Sequence, residues 1–344
     1  MTTAPAASLR LDSWTVVDDG RHNAFTDLAS WRGKLWLAYV ASPSHFASRR
    51  SRIVLLRSSD GRAWQEAARF DGAGEDIRDP KLAVIHDRLT VYALLNRAFD
   101  PLPYQTVSAD SPDGKTWSPL AQVRPEGWLL GKPKTPDGQA WYAPAHHLQK
   151  GAAQLLRTVD GCIWEPVSTL RAGDGADESA IEFLPDGRLL AVTRLEGGEG
   201  LFGGPRAGSL LSFARPPYIR WSQVFSDVTR LDGPTLFSIG SECFAVGRRQ
   251  PCTLGRLQEQ GSILARKRTA LFRTDGSSLT HLADLPSAGD TAYAGAAQMD
   301  GRVFISYYTN DVRRDMPWIA GMFLPTAIRA ACLPLEYLSS GKGV

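Results

Sequence analysis

Charged and hydroxyl-bearing side chains stand at the start of six strand-like segments spread over the chain. The segments are RHNAFTDL (21–28), RDPKL (78–82), GKPKT (131–135), DESAI (177–181), DGPTLF (232–237) and DTAYAG (290–295). Their polar members are His22, Asn23, Asp27, Arg78, Asp79, Lys132, Asp177, Glu178, Asp232, Asp290 and Tyr293, and Arg194 and Arg248 lie on the strands that follow. Charges of both signs around one concave mouth are typical of a binding site for a polar small molecule. Within such a set, Arg binds a carboxylate through paired hydrogen bonds, and a carboxylate can take the proton of a Tyr.

Two of these residues flank a single hairpin turn. Glu178 lies nine residues before Gly187, and Arg194 lies seven residues after it. Residues equally distant from a hairpin turn lie side by side, so we expect both side chains at one end of the same hairpin. His146 and His147, in PAHH (144–147), are adjacent and therefore point in opposite directions on a strand, which makes a shared metal ion unexpected.

Hairpins are the elements that must position these residues. Six tight turns, each flanked by alternating β-rich segments, centre near Gly33, Asp87, Gly138, Gly187, Gly240 and Gly301. Asp-Gly favours such turns because they require positive φ. A second signal is out of phase with the first: SSDGRAW (58–64), SPDGKTW (111–117) and TVDGCIW (158–164) each combine Asp-Gly with a Trp. The Trp position continues at Trp14, Trp221 and Leu279.

The two periodic signals together predict one architecture. Each unit of about 50 residues holds a hairpin, a third strand, an Asp-Gly turn and a fourth strand, which is the pattern of a propeller blade. The sixth unit lacks a last strand, and residues near 11–17 supply it, which closes the ring without an open sheet edge. We therefore predict an all-β, six-bladed β-propeller with four-stranded antiparallel blades, forming a single domain over residues 1–344. The polar strand starts surround the central channel on the face opposite the Asp-Gly turns.

Composition excludes several classes of protein. The net charge is +3, and no basic run with interleaved aromatic residues suggests nucleic-acid binding. No apolar run is long enough to span a membrane, and the N-terminus has no apolar signal core, so we predict a cytoplasmic protein without membrane contact. The four cysteines lack metal-ligand spacing and are expected to be free, buried thiols. We expect no metal or other cofactor, and a monomer or weak dimer.

The three Asp-Gly-Trp segments resemble the Asp-box (BNR) repeats of sialidases and related glycosidases, which are six-bladed propellers. ESAIEFLPDGRLLAVTR (178–194) resembles the sialidase segment that carries a Glu and, sixteen residues later, an Arg. DTAYAGAAQMDGRVFISYY (290–308) resembles the segment that carries the nucleophilic Tyr. The resemblance implies that Tyr293 is a nucleophile, that Glu178 is its base and that Arg194 binds a substrate carboxylate.

A Tyr nucleophile suits an anionic substrate. Free Tyr has a pKa near 10 and needs a neighbouring base, whereas a carboxylate nucleophile would repel an acidic sugar. Sialidases are the glycosidases that use Tyr in this role.

Two features of the sialidase pattern have no counterpart in their usual place. The family's first Arg opens blade one, where this chain reads HNAFTDL; RDPKL (78–82) resembles the motif locally, and we assign Arg78 to substrate binding. The family's acid belongs in the loop ASPSHFASRRSR (41–52), which has no carboxylate. Asp79 is our preferred acid, ahead of His45 and Asp27, with a pKa raised by burial or by Asp27 as a like-charged neighbour.

The remaining substrate-binding residues complete the predicted site. Candidates for the third Arg are Arg248, Arg266 and Arg268, of which Arg248 and Arg268 are assigned to substrate binding. His22, Asp27, His45 and Asp290 are assigned to substrate binding as well.

The predicted function is a sialidase-like glycoside hydrolase that acts on a carboxylate-bearing sugar, or a related substrate, in the central channel. Two alternatives remain open. One is a propeller enzyme of another class, such as a uronate lyase or a metabolite-tailoring enzyme, in which Tyr293 or a His abstracts a proton while Arg neutralises the carboxylate. The other is a non-catalytic glycan-binding propeller.

Overall fold

Six four-stranded antiparallel sheets make up the chain in a computed structural model, which describes residues 11–97, 103–197 and 200–339. In chain order the strands are β1 (Asp12–Val17), β2 (His22–Trp31), β3 (Lys34–Ser42), β4 (Arg52–Ser58), β5 (Gln65–Asp71), β6 (Asp76–Ile85), β7 (Arg88–Asn96), β8 (Pro103–Ser111), β9 (Ala121–Gln122), β10 (Leu129–Leu130), β11 (Trp141–His147), β12 (Ala152–Thr158), β13 (Glu165–Ala172), β14 (Ala176–Phe183), β15 (Leu189–Leu195), β16 (Gly208–Ala214), β17 (Trp221–Ser226), β18 (Asp232–Ile239), β19 (Glu242–Arg249), β20 (Arg268–Thr274), β21 (Leu279–Asp284), β22 (Ala292–Met299), β23 (Arg302–Thr309) and β24 (Ala327–Pro334). The helices are a 3₁₀ turn (Leu148–Lys150), α1 (Trp318–Gly321) and α2 (Leu335–Ser339).

Each sheet is one blade of a propeller. Blades one to five are β2–β5, β6–β9, β10–β13, β14–β17 and β18–β21, and blade six is β22, β23, β24 and β1. First strands of neighbouring blades contact each other around the channel, as β2 does with β6 and β22. β1 pairs with β24, with Trp14 opposite Ala330, so the N-terminal strand closes the ring. The predicted six-bladed, all-β propeller is confirmed.

Hairpin turns of positive φ join first and second strands where the sequence predicted them. Arg32 and Gly33 have φ of 50° and 67°, and Asp300 and Gly301 have φ of 50° and 69°. Blade three is the exception, because its first strand covers only Leu129–Leu130. Residues 131–140 include two prolines, Pro133 and Pro136, and form only one isolated bridge, between Lys134 and Tyr142. Proline has no N–H to donate to a neighbouring strand.

The Asp-Gly-Trp segments hold the scaffold together. Asp60 Oδ1 accepts the N–H groups of Arg62 at 2.8 Å and Ala63 at 2.9 Å, which lowers the pKa of Asp60. A Cβ at Gly61 would lie 2.4 Å from the Phe304 ring of blade six, so only glycine lets the two blades pack this closely. The segment therefore caps its own turn and seals the contact between blades.

The tryptophans of these segments are buried to different degrees. Trp164 is 3% exposed, whereas Trp64 and Trp117 are half-buried. The cysteines also differ from the prediction in part: all four are free, but Cys162 and Cys252 are exposed while Cys243 and Cys332 are buried. Within the described residues, no helix has the length and apolar character needed to cross a membrane.

Candidate functional site

A β-bulge at the same place in five blades presents side chains to the channel mouth. Between Ala292 and Gly295 the first strand of blade six has one residue more than its partner, which runs only from Tyr308 to Ser306. The same extra residue occurs in the first strands of blades one, two, four and five. In four of these bulges one residue takes positive φ: Phe25, Asp79, Gly233 and Tyr293. Bulges re-aim side chains next to active sites, and such strained backbone persists where the surroundings enforce it.

Tyr293 and Glu178 meet at this mouth. The Tyr293 hydroxyl donates to Glu178 Oε1 at 2.5 Å, and the Gly233 N–H donates to Glu178 Oε2 at 2.7 Å. Burial raises the pKa of Tyr293 well above its usual value, and the charge of Glu178 adds to the effect. Burial also acts to raise the pKa of Glu178, but the charge of Arg194 and the hydrogen bonds from Tyr293 and Gly233 outweigh it and lower that pKa. The pair is therefore a protonated Tyr held by an ionised carboxylate, and the predicted approach of the two side chains is present.

Arg194 holds this carboxylate in place. Its Nη1 lies 2.9 Å from Glu178 Oε2, as the hairpin register predicted. Its Nε and Nη2 donate to the two oxygens of Asp177 at 2.8 and 2.6 Å, and Nη2 is 3.2 Å from Glu196 Oε1. Carboxylates of the chain thus surround the guanidinium, which is 12% exposed. Arg194 therefore mainly positions the Glu178 carboxylate, and only the exposed edge of its guanidinium is left for a ligand.

A second group of buried charges lies in blade five, centred on Asp232. Arg248 Nε donates to Asp232 Oδ2 at 2.8 Å, and Arg230 Nε donates to Asp232 Oδ1 at 2.6 Å. Burial acts to raise the pKa of Asp232, but the charges of Arg230, Arg248 and Arg194 outweigh it and hold that pKa far below its usual value. Burial lowers the pKa of the neighbouring Lys267 to about 7. Arg248 stacks on the Trp318 ring, with 3.9 Å from Cζ to the ring centre.

Blade two contributes Asp79, Arg78 and Lys81 to the same mouth. Burial raises the pKa of Asp79, and the negative charge of Glu178 raises it further. The positive charges of Lys81, Arg78 and Arg194 lower it but do not outweigh the burial. The like-charged neighbour is therefore Glu178, and not Asp27 as the sequence suggested. Lys81 Nζ lies 3.7 Å from Asp79 Oδ1 and 5.7 Å from the centre of the Tyr293 ring.

Arg78 is held at the mouth by blade two and by the loop of blade one. Its Nε donates to Asp76 Oδ2 at 2.6 Å, and its Nη1 donates to the His45 carbonyl at 3.2 Å. Its guanidinium lies over the Phe25 ring, which in turn packs edge-on against Tyr293 with 4.7 Å between ring centres. Although Arg78 comes from blade two, it reaches the neighbourhood of the blade-one loop.

His22, His45 and Asp290 form a third group beside Phe25 and Tyr308. His45 Nδ1 lies 2.7 Å from Asp290 Oδ2, and His22 Nε2 lies 3.1 Å from the same oxygen. Both rings pack edge-on or tilted against the aromatic side chains that separate them from Tyr293.

Two predicted substrate-binding residues have other partners. Asp27 is 2% exposed, and its oxygens accept from Lys132 Nζ at 2.8 Å and the Leu82 N–H at 2.7 Å, so it joins blades rather than facing a ligand. Arg268 donates to Asp315 Oδ1 at 2.9 Å, and Arg266 pairs with the same aspartate at 3.2 Å. Side chains alternate along an extended chain, so the residue between these two arginines, Lys267, points inward instead.

Sequence reasoning did not assign four residues that the structure brings to the site: Arg230, Glu196, Lys267 and Trp318. Arg230 lies two residues before Asp232 and therefore on the same side of the strand, which is the signal that would have identified it. Trp318 belongs to a short helix after β23 that no strand pattern indicates. His146 and His147 do point in opposite directions: His147 packs on Trp128, whereas the charges of Glu178, Arg194 and Lys81 act on His146. Burial lowers the pKa of His146 to about 4, so its ring is neutral.

Comparisons with known proteins place the fold. No family model and no curated protein sequence matches the chain. Among solved structures, a protein of unknown function from Dyadobacter fermentans superposes with a TM-score of 0.71 at 16% identity, over 94% of this chain and 97% of that one. The phage phi92 endosialidase gives 0.71 at 10% identity, over 94% and 69% of the two chains. A Trypanosoma rangeli sialidase in complex with the inhibitor DANA gives 0.68 at 13% identity, over 93% and 56%. The chain therefore has a sialidase-like propeller fold, and it spans little more than half the length of the trypanosomal enzyme.

Proposed function

We propose that this protein is a glycoside hydrolase of sialidase type that cleaves a glycoside of a carboxylate-bearing sugar with Tyr293 as nucleophile. The observation that carries the proposal is the 2.5 Å hydrogen bond from the Tyr293 hydroxyl to Glu178, at a channel mouth that also holds Arg78, Lys81 and Arg194. The sialidase-like fold of the chain supports it.

The chemistry requires Glu178 to act as a base. As Tyr293 Oη bonds to the anomeric carbon and the glycosidic bond breaks, the phenolic proton passes to Glu178 Oε1. A resting phenol with a raised pKa needs this transfer, because free phenolate is not populated near neutral pH. Arg194 and the Gly233 N–H fix the carboxylate that receives the proton.

Asp79 is suited to act as the acid. The pKa of Asp79 is raised, whereas that of Glu178 is lowered. The Asp79 carboxyl therefore stays protonated at pH values at which Glu178 is already ionised. Two carboxyl groups whose pKa values are pushed apart are the usual signature of an acid and a base in one site. Asp79 gives its proton to the departing oxygen and recovers one from the water that later attacks the anomeric carbon. Tyr293 then leaves with the proton held by Glu178, and the sugar is released with retained configuration.

Selectivity for an acidic sugar follows from the partly exposed cations at the mouth. Arg78, Lys81 and Arg194 are 12%, 20% and 12% exposed, and all three act on the charge of Asp79. An anionic sugar held among them would also be repelled less by a neutral phenol than by a carboxylate nucleophile.

The test combines a substrate panel with trapping of the intermediate. Fluorogenic glycosides of sialic acid and of hexuronic acids are compared with those of neutral hexoses, and hydrolysis of an acidic member is expected. A fluorinated acidic sugar with a fluoride leaving group should add its mass to the peptide that contains Tyr293. Tyr293→Phe should abolish both signals, while Tyr142→Phe should retain them; this control lies on the second strand of blade three and packs on Phe183 and Tyr218.

Other outcomes would select another function. An unsaturated product that absorbs in the near ultraviolet, with no adduct on Tyr293, would identify a uronate lyase. Saturable binding of acidic sugars without any product would identify a glycan-binding propeller. Either result contradicts the proposal.

A further inference from the structure

The group formed by His22, His45 and Asp290 has the composition of a metal site. His22 comes from β2, His45 from the loop after β3, and Asp290 from the segment before β22, so three separate parts of the chain converge. Their potential ligand atoms all lie within 4.8 Å of one another. The Tyr293–Glu178 chemistry uses none of the three.

His22 presents a buried ring nitrogen to Asp290 without a hydrogen bond between them. Its Nδ1 donates to the Leu324 carbonyl at 2.8 Å, so in the neutral ring the lone pair lies on Nε2. The side chain is 1% exposed, and its Nε2 makes no hydrogen bond although Asp290 Oδ2 is only 3.1 Å away. A buried lone pair that faces a carboxylate oxygen is repelled unless a metal ion or a proton lies between them.

The surrounding contacts orient the three groups as ligands. Asp290 Oδ1 accepts from Trp318 Nε1 at 2.8 Å and from the Tyr308 hydroxyl at 3.1 Å, which leaves Oδ2 directed at the histidines. The hydrogen bond from His22 Nδ1 to the Leu324 carbonyl fixes the ring of His22 so that Nε2 faces Asp290. Metal-binding histidines almost always donate their second ring nitrogen to a carbonyl or carboxylate, and their carboxylate partners are held by further hydrogen bonds.

We propose that His22 Nε2, His45 Nδ1 and Asp290 Oδ2 bind a divalent transition-metal ion of the zinc class. Nitrogen and oxygen ligands at about 2.1 Å from such an ion, at angles of about 90–110°, lie about 3.0–3.4 Å apart. The separations of 2.7 and 3.1 Å from Asp290 Oδ2 reach that range with movements of a few tenths of an ångström.

The ion would keep a position open for a further ligand. Two imidazoles and one carboxylate are three protein ligands, the number found in zinc sites that also bind water or substrate. His45 is 18% exposed while His22 and Asp290 are fully buried, so the open position is reached from the side of His45. The competing account is that a second proton on His22, and not a metal ion, separates Nε2 from the carboxylate.

Direct measurement of metal binding separates the two accounts. The full-length protein is stripped with a chelator and titrated with Zn²⁺ in competition with a chromophoric chelator, and Co²⁺ is added in parallel to obtain a visible spectrum of the bound ion. We expect one Zn²⁺ per chain. His22→Gln should weaken binding on the order of 100-fold or more, because even residues that only support ligands contribute 10–100-fold.

The matched control is His281→Gln. His281 Nε2 also lies 2.9 Å from an aspartate, Asp284, but it is exposed. This variant should bind Zn²⁺ as the unchanged protein does. His45→Gln and Asp290→Asn provide the same test if His22→Gln does not fold.

The proposal is overturned if the unchanged protein binds no Zn²⁺ at micromolar concentration, or if the ligand variants bind it as tightly as the His281→Gln control. A doubly protonated His22 in the presence of Zn²⁺, seen by NMR of its ring, would overturn it as well. The readout is the bound ion itself, so the result does not depend on whether the protein hydrolyses glycosides.

Discussion

Gly233 is the backbone position on which the geometry of the Tyr293–Glu178 pair depends. It has φ of +56°, and a Cβ there would lie 2.8 Å from Tyr293 Cγ. The ring would have to retreat by about 0.6 Å to reach the 3.4 Å at which ordinary contact begins. Because Phe25 packs on that ring at 4.7 Å, the movement must disturb the hydrogen bond to Glu178.

Gly240 in the same blade allows the two costs of Gly233→Ala to be separated. It has φ of +57°, and a Cβ there would meet nothing within 4 Å. Gly240→Ala should therefore lower the free energy of unfolding only by the cost of the left-handed backbone, about 1–2 kcal/mol. Gly233→Ala should lower the free energy of unfolding by the same amount and by about 1–3 kcal/mol more because of overpacking, about 2–5 kcal/mol in all.

Guanidinium denaturation of both variants measures this difference. On the proposed function, Gly233→Ala should also lower turnover of an acidic glycoside on the order of 10²-fold, because small displacements of a reacting group are that costly. Gly240→Ala should keep full turnover. Equal destabilisation and equal turnover in the two variants would refute the view that Gly233 sets the position of Tyr293.

Three further predictions concern the scaffold, the buried charges and the pH profile. Trp164→Ala should cost about 3–5 kcal/mol in the free energy of unfolding, and the half-buried Trp117 less when it is replaced in the same way, measured by denaturant titration. Asp232→Asn should cost about 3–5 kcal/mol, because it leaves two buried arginines without their common partner, and a loss below about 1 kcal/mol would contradict the assigned ion pairs. The rate–pH profile should be bell-shaped: it falls at low pH as Glu178, with its lowered pKa, becomes protonated, and at high pH as Asp79, with its raised pKa, loses its proton. Asp79→Asn should remove the high-pH limb and slow turnover about 10²–10⁴-fold, and an unchanged limb would assign it to another group.

The blade pattern could be read from the sequence because it depends on local signals. Asp-Gly turns and alternating strands recur in every unit, and the position of Trp14 identified the strand that closes the ring. Blade three was the weakest case, since its first strand was predicted as regular but is interrupted around the glycine and proline residues after Leu130.

The site could be predicted only where hairpin register determines it. Glu178 and Arg194 were placed together by counting from Gly187, and the structure brings them to 2.9 Å. Arg268 was assigned to substrate binding, but the structure pairs it with Asp315, and hairpin register does not determine which residues before β20 point inward. The sequence also does not show which charged residues pair with each other, as Arg230 does with Asp232. This pairing depends on packing between blades, which no local sequence pattern predicts.

One backbone device explains how a nearly symmetric ring builds an asymmetric site. The same one-residue bulge stands in the first strand of five blades, but its left-handed residue is Phe25, Asp79, Gly233 or Tyr293 in turn. Blade four keeps the extra residue without positive φ and supplies Glu178 from it. Positive φ is unfavourable for non-glycine residues, so blades one, two and six each accept a local cost of roughly 1 kcal/mol or more at Phe25, Asp79 and Tyr293. The bulge lies on the strand nearest the channel, where β2, β18 and β22 each contact the first strands of both neighbouring blades. Gly233 is the one member that gives up its side chain, and the space it leaves is filled by the ring of Tyr293 while its N–H binds Glu178. Tyr293 and Glu178 are thus both positioned by the same bulge in a third blade, which is why a single methyl group at Gly233 is expected to disturb both.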